Sequence, residues 1–467
     1  MPGSRPEIGH SSSRDLEALM QTRQSGLYGW QVLTVLLLLF GYSGYYLCRS
    51  NFSVALPMIA NELTRNGLAS EIARIRLGTI ASLGVAAYAI GKFPAGAMAD
   101  YFGGRRNFLG GMAGAVFFTL LFSLSGGLPL FTLAWVGNRL AQSWGWAGMV
   151  KISSRWFSYR TYGTVMGILS LSFLFGDAAS RAFLAWLIGE GLGWRGIFLV
   201  AAATLFSLFV VNLILLKETP LAIGESEPPA NPRAIVVETD DQPSRPDLWP
   251  ILQPLFLDSG FWMVCALSFT FTLVRETFNL WTPTYFIQVV GLSQADAARE
   301  SALFPLFGGL SVLLSGFLSD RLKGGGRATI IVCGLLLAGA VLFLLGRVNF
   351  ENSRTAPVGL VTLVGFLMTG PYSYFAGAIA LDLGGKQGSA TTSGIIDGVG
   401  YLGGILSGDT IARLSVAYGW HGAFTTLAVI VWLSSIVAFL YRRRSLTRVG
   451  SPTIAAESGS HIFGTDL

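Results

Sequence analysis

An all-α integral membrane protein, twelve transmembrane helices in two similar six-helix bundles, is predicted here by three observations. Charged residues make up 12% of the 467 against 52% hydrophobic ones, where soluble domains carry ~25% charge. The apolar residues fall in charge-poor runs of about twenty or more, the length that crosses a bilayer as a helix. Motifs of the first half also recur in order in the second. Glycine, at 58 residues, suits helices packed through small faces, and the 12 tryptophans and 14 tyrosines suit interfacial belts.

Twelve runs can be traced in order: 28–59, 78–98, 107–125, 129–150, 162–188 and 196–216, then 257–290, 300–318, 328–347, 357–381, 390–415 and 421–441. The first and seventh are the longest, and each has an arginine well inside it. Residues 1–25 form a polar N-terminal tail in which Asp15 to Arg23 make at most a short interfacial helix. Residues 26–216 form the first bundle, 217–255 a linker rich in Pro, Glu, Asp and Ser, 256–441 the second bundle, and 442–467 a C-terminal tail. The linker reads as a solvated tether. No basic segment followed by a cleavable apolar core opens the chain, so no signal peptide is expected. Pro94, Pro283 and Pro371 are expected to kink their helices.

With both termini cytoplasmic, the loops and tails on that side hold 19 of the 32 Lys and Arg and the opposite loops 7. That asymmetry sets the orientation, and it explains the net charge of +6 without nucleic acid. The membrane is expected to be a bacterial inner, or plasma, membrane. Cys48, Cys265 and Cys333 lie in apolar runs, and His10, His421 and His461 are far apart. A metal or hydrolytic site therefore has almost no material, and neither enzyme activity nor a cofactor is expected.

The halves repeat. GAMADYFGGRR at Gly96 to Arg106 answers GFLSDRLKGGGR at Gly316 to Arg327, Gly176-Asp177 with Arg181 answers Gly408-Asp409 with Arg413, and GWRGIF at Gly193 answers GWHGAF at Gly419. Arg49 lies 51 residues before Asp100 and Arg275 lies 45 before Asp320, a difference small enough for a loop indel, so the two arginines look like repeat mates. Parallel six-helix repeats with a binding site near the midplane are one transporter architecture.

Arg49 is the anomaly of the first helix, because no charge occurs from Leu27 to Cys48 and the apolar run resumes after it. A guanidinium in hydrocarbon costs roughly 2.5 to 3.5 kcal/mol on insertion scales, which marks a functional site. A snorkelling arginine at a helix end is the other reading. Tyr42, Tyr46, Arg49 and Ser53 recur at helical spacing and form one polar stripe.

On these motifs the chain, over roughly residues 26–445, resembles the major facilitator superfamily, whose loop between helices two and three is matched by Gly96, Asp100 and Gly103 to Arg106. Within it, YYLCRSNFSVALP at Tyr45 to Pro57, LVRETFNLWTPTYF at Leu273 to Phe286 and AYAIGKF at Ala87 to Phe93 are similar to the organophosphate:inorganic-phosphate antiporters. The resemblance implies the major facilitator fold, exchange of an organic phosphate of sugar- or glycerol-phosphate type for inorganic phosphate by alternating access, and phosphate binding by Arg49 and Arg275. It implies a gate loop in which Asp100 latches against basic groups, with Arg105, Arg106 and the repeat residue Asp320. An ordinary basic loop with a helix cap is the other reading, and it fits Arg105 and Arg106 better than it fits Asp100. Departures occur where relatives carry a histidine, here Phe173, and at Gly145 to Met149, which reads GWAGM. The phosphate moiety is therefore better supported than any organic part.

Physical chemistry agrees with a phosphate. A guanidinium fork matches two phosphoryl oxygens in a way an ammonium does not, and two of them nearly balance the about −1.5 to −2 of a monoester. Tyr42, Tyr46 and Lys92 are further binding candidates, with packing for the tyrosines and snorkelling for Lys92 as the competing roles. Glu276 follows Arg275 directly, and since neighbours on a helix diverge it is expected to pair with another helix. Asp177–Arg181 and Asp409–Arg413 are i, i+4 pairs expected to neutralise each other. Arg139, with Gln142 and Gly145, resembles the R-x-x-Q-x-x-G of other branches, including proton-coupled exporters. A proton-coupled carrier using Arg139 with Asp177, Glu276 or Asp397 is thus one rival, and a non-transporting ligand sensor is another. The expected partners are a small anion and the lipid bilayer, with the monomer as the working unit.

Overall fold

The computed structural model describes residues 11–228, 249–321, 326–347 and 353–449, and among the described residues all regular structure is helical. The elements are α1 (Ser11–Arg65), α2 (Ser70–Phe102), α3 (Gly104–Ser123), α4 (Leu128–Trp156), α5 (Tyr159–Gly189) and α6 (Trp194–Leu215). They continue as α7 (Trp249–Leu257), α8 (Ser259–Gln288), α9 (Gln294–Ser301), α10 (Leu303–Arg321), α11 (Gly326–Leu345), α12 (Thr355–Tyr372), α13 (Ala380–Leu406) and α14 (Asp409–Val449). Of the linker, residues 217–228 include a short 3-10 turn at Pro220–Ile223 and α7 occupies its end; residues 229–248 lie outside the described residues.

Ten helical stretches among the described residues are long and apolar enough to cross a membrane. The fourth predicted span is absent from those ten although it forms α4, because Asn138, Arg139, Gln142 and Ser143 make its middle polar. The last two predicted spans run together as Thr392–Leu446. Gly419 separates them: its φ of 68° lies in the left-handed region that glycine tolerates, and it breaks α14 just before Trp420. In the first half Gly193 starts α6 with φ −73°, so the two repeats begin their last helix by different backbone devices. The count of twelve is thereby met. Large apolar side chains such as Phe40, Ile90, Phe117, Phe206 and Phe317 lie exposed, as a lipid-facing surface requires.

Two helix boundaries differ from the sequence reading. The polar stretch Asp15 to Arg23 is part of α1 rather than a separate short helix, since only lone glycines and no proline interrupt it before Trp30 and a lone glycine costs about 1 kcal/mol. The tenth span, expected to end at 381, passes through a π-helical turn at Phe375–Ile379, just after Pro371, into α13.

By packing, the chain falls into two units, Met1–Ala55 with Leu83–Thr239 and Leu56–Ser82 with Asp240–Leu467. In the first, α3 and α4 approach closely where a Cβ on Gly104 would meet the Gly148 carbonyl at 2.7 Å. Phe122 centres its aromatic core, with Phe131 at 4.9 Å, Phe198 at 4.7 Å and Phe52 at 5.8 Å, and Phe52 stacks on Trp135 at 4.3 Å. In the second, Phe278 stacks on Phe304 and Phe424 at 5.6 and 5.5 Å, and Trp281 donates to the Ser407 carbonyl. The start of α2 belongs to this second unit, where Thr79 donates to Asp409 Oδ1 at 2.7 Å.

Candidate substrate-binding site

In the first unit, three cations from three helices gather on one aromatic ring. Tyr88 of α2 is buried. The Arg49 guanidinium of α1 lies 4.9 Å from its ring centroid, that of Arg139 on α4 lies 4.8 Å away, and the Lys92 ammonium lies 5.4 Å away. Helical spacing accounts for part of this. Lys92 is four residues beyond Tyr88, Arg139 four beyond Trp135, whose ring it also faces at 6.0 Å, and Arg49 three beyond Tyr46, so each pair shares a helix face. Arg49 lies 5.2 Å from the Tyr46 ring centroid and donates to its hydroxyl at 3.5 Å. Cation–π contacts are worth about 0.5–1 kcal/mol when exposed and about 2 when desolvated, so the ring helps to hold like charges together in a dry setting.

Arg49 and Lys92 are half-buried and Arg139 is buried. Residues 27–55, 83–99 and 128–156, which bring these cations, contain no carboxylate in their sequence. Asp177 on α5 receives the Ser50 hydroxyl and the Arg181 guanidinium, the latter at 3.0 Å. This is the expected neutralising pair, with both side chains under a tenth exposed. Tyr42 is buried, its ring 5.6 Å from Trp146 and 5.9 Å from Tyr46, and Trp146 in turn faces Phe173 at 6.1 Å. Tyr42 is thus packed in an aromatic wall, whereas Tyr46 touches the arginine.

In the second unit Arg275 of α8 has different company. Its guanidinium donates to Glu276 at 3.0 Å and lies 4.4 Å from the Tyr372 ring centroid, and the Tyr372 hydroxyl donates to Asp397 of α13 at 3.3 Å. Glu276 therefore does pair with its neighbour, contrary to expectation, because the two side chains are long enough to curl together although their Cα–Cβ bonds diverge. Of the two repeat mates, Arg49 shares the Tyr88 ring with two further cations, and Arg275 pairs with the carboxylate of Glu276. The Asp409–Arg413 pair is formed as a fork at 2.7 and 3.3 Å.

The side chains of Asp100 and Asp320, expected in the gate loop, lie outside the described residues. Arg106 is exposed. Arg105 is a helix cap: its guanidinium donates at 2.6 Å to the carbonyls of Leu213 and Leu216 at the end of α6, while Glu218 accepts the backbone N–H groups of Gly104 and Arg105 at the start of α3. Tyr88, Trp146 and Tyr372 were not singled out by the sequence reading. Tyr88 was within reach, at i−4 from Lys92 in AYAIGKF; Tyr372, beside Pro371, gave a weaker signal.

The Major Facilitator Superfamily profile matches residues 38–408. The chain belongs to the Major Facilitator Superfamily. A Chlamydia muridarum relative named "Probable hexose phosphate transport protein" is 26% identical, over 85% of this chain and 88% of its own. One from Escherichia coli (strain K12), "Membrane sensor protein UhpC", is 25% identical, over 87% and 90%. A bacterial homolog of the human lysosomal transporter Spinster, in an inward-facing and unoccupied conformation, matches with a TM-score of 0.72 at 16% identity, covering 90% of this chain and 98% of that one. The superfamily member is therefore a multi-pass membrane transporter, with a relative named for hexose phosphate transport, and not an enzyme.

Proposed function

We propose that this transporter exchanges an organic phosphate for inorganic phosphate by alternating access. Arg49, Lys92 and Arg275 bind the phosphoryl group, with Tyr46 beside Arg49. The observation that carries this reading is the convergence of Arg49 and Lys92 on Tyr88, a concentration of positive charge suited to a dianionic phosphate. The relative named a hexose phosphate transport protein supports the substrate class. Asp177 weighs against proton coupling at that position, since it is engaged by Ser50 and Arg181. The same reading has the monomer as the working unit, in a bacterial inner membrane with both termini cytoplasmic, in line with the basic loop asymmetry.

The test is uptake of labelled inorganic phosphate into proteoliposomes without a proton gradient. Uptake into vesicles preloaded with phosphate, and far less into empty ones, is expected; equal uptake in both, or none in either, overturns exchange. A ligand-sensing role is the second reading, favoured by the sensor among the relatives. It predicts phosphate-ester binding without counterflow.

A further inference from the structure

At the end of α14 a lipid-facing stripe runs into a cluster of arginines. Val429, Leu433, Ile436 and Leu440 are exposed and recur at steps of four, three and four, so they share one face of the helix. Arg443, three residues on, continues that face and is itself exposed. Its guanidinium lies 4.8 Å from the ring centroid of exposed Phe439, one turn back, because helical side chains lean toward the N-terminus. Arg442 donates from Nε to the Thr329 hydroxyl at 2.9 Å, which seats it beside the first turn of α11, the positive end of that helix dipole. Arg444 is bonded instead to Asp258 at 3.1 Å and to Ser259, at the start of α8. The ends of three helices thus meet here, and among the described residues neither Arg442 nor Arg443 has a carboxylate partner.

We propose that Arg442 and Arg443 form a binding site for an anionic phospholipid, in the leaflet nearest the C-terminal end of α14. The Nη groups of Arg442 and the whole guanidinium of Arg443 keep their N–H donors for phosphate oxygens. Length favours a lipid over a free anion. From Leu433 to Arg443 is ten residues, about 15 Å at the helical rise, which is half of the ~30 Å hydrocarbon core. An acyl chain lying along the stripe therefore ends where its headgroup phosphate meets the arginines. Exposed Trp262 in the first turn of α8, its indole N–H donating to the Phe256 carbonyl at 2.8 Å, marks the same boundary. Charge sets the class. Two guanidiniums attract a headgroup of net negative charge, and they repel the ammonium of a zwitterionic one. Asp258 does not cancel them, being engaged by Arg444 and by the Phe261 N–H at 3.1 Å.

The test titrates the purified full chain in detergent with dioleoyl phosphatidylglycerol and with dioleoyl phosphatidylcholine, which differ only in the headgroup, and reads bound lipid by native mass spectrometry. The wild type is expected to bind the first phosphatidylglycerol at least about tenfold more tightly than phosphatidylcholine. Arg442→Gln with Arg443→Gln is expected to bring that ratio close to one. Arg65→Gln with Arg354→Gln, which removes two exposed arginines at other helix ends, is expected to leave it standing. A wild-type ratio near one overturns the proposal, and so does an equal fall in both double variants, which would mean a general effect of charge. The deacylated headgroup, glycerophosphoglycerol, is titrated as well; binding as tight as that of the lipid overturns the assignment to a lipid. If the first double variant does not fold, Arg443→Gln alone decides: at least a threefold fall in the ratio is expected, and an unchanged ratio counts against the site. No transported substrate enters the assay, so its outcome is independent of the exchange reading.

Discussion

Arg49 and Arg275 occupy matching positions of a repeated sequence, yet Arg49 stands with Lys92 and Arg139 around Tyr88, while Arg275 is bonded to Glu276. If both hold phosphate, the geometry of the fork matters at each. Arg49→Lys and Arg275→Lys each lose paired hydrogen bonds worth roughly 1.5–3 kcal/mol apiece, so labelled-phosphate exchange by folded protein should fall by roughly a hundredfold. Near-normal exchange by both variants would sink the two-arginine site. Tyr88 gives a sharper test, because its ring and its hydroxyl can be separated. Tyr88→Phe keeps the face that the cations approach and should hold phosphate affinity within about threefold, whereas Tyr88→Leu removes the cation–π contacts and should cost about tenfold. Calorimetric titration with phosphate reads both, and equal effects from the two changes would remove the ring from the account. Arg49 was legible in the sequence because a charge in an apolar run is conspicuous by itself. The meeting of Tyr88 with Arg139 was not, since residues 51 positions apart are brought together only by the packing of α2 and α4. Glu276 was misjudged because helix periodicity fixes where side chains leave the backbone, not where long flexible ones end.

At the scale of elements, the loop that the superfamily resemblance marks as a gate also holds two helix ends. Arg105 closes the C-terminal carbonyls of α6, and Glu218, just beyond α6, accepts the first N–H groups of α3. Each end so satisfied leaves fewer orphan backbone groups and sets a charge favourably against a helix dipole. Glu218→Ala should therefore lower stability by about 1–2 kcal/mol, visible as a lower midpoint of thermal unfolding for the detergent-solubilised protein. It should leave the relative affinities of phosphate esters unchanged. An unaltered midpoint would mean that the cap contributes nothing beyond solvation by water. The helices themselves were legible as charge-poor runs, including α4, whose polar centre at Asn138, Arg139 and Gln142 lowers its hydropathy but not its periodicity. Their junctions were less so: the continuous passage from the π-helical turn into α13 depends on how the backbone recovers after Pro371, which composition does not encode.

For the whole molecule, the consequence of a cation-rich site is which form of the carrier can reorient. On the exchange reading proposed above, a bound phosphate offsets positive charge that Arg49, Lys92 and Arg139 bring to the Tyr88 ring, so the loaded form moves less net charge through the membrane than the empty form. Exchange, which cycles only through loaded forms, should then be indifferent to membrane potential. Net uptake needs the empty carrier to return outward with its positive charge, and an inside-positive potential should speed it. A full charge crossing the field gains about 2.3 kcal/mol per 100 mV, roughly fiftyfold in rate as an upper bound. Proteoliposomes clamped with a potassium gradient and valinomycin separate the two modes: labelled phosphate is followed into loaded and empty vesicles at zero and at inside-positive potential. Exchange unchanged while the slow net entry rises is the expected result. Exchange that itself responds to potential would mean that the loaded carrier is not balanced, and the charge argument for phosphate exchange would fail with it.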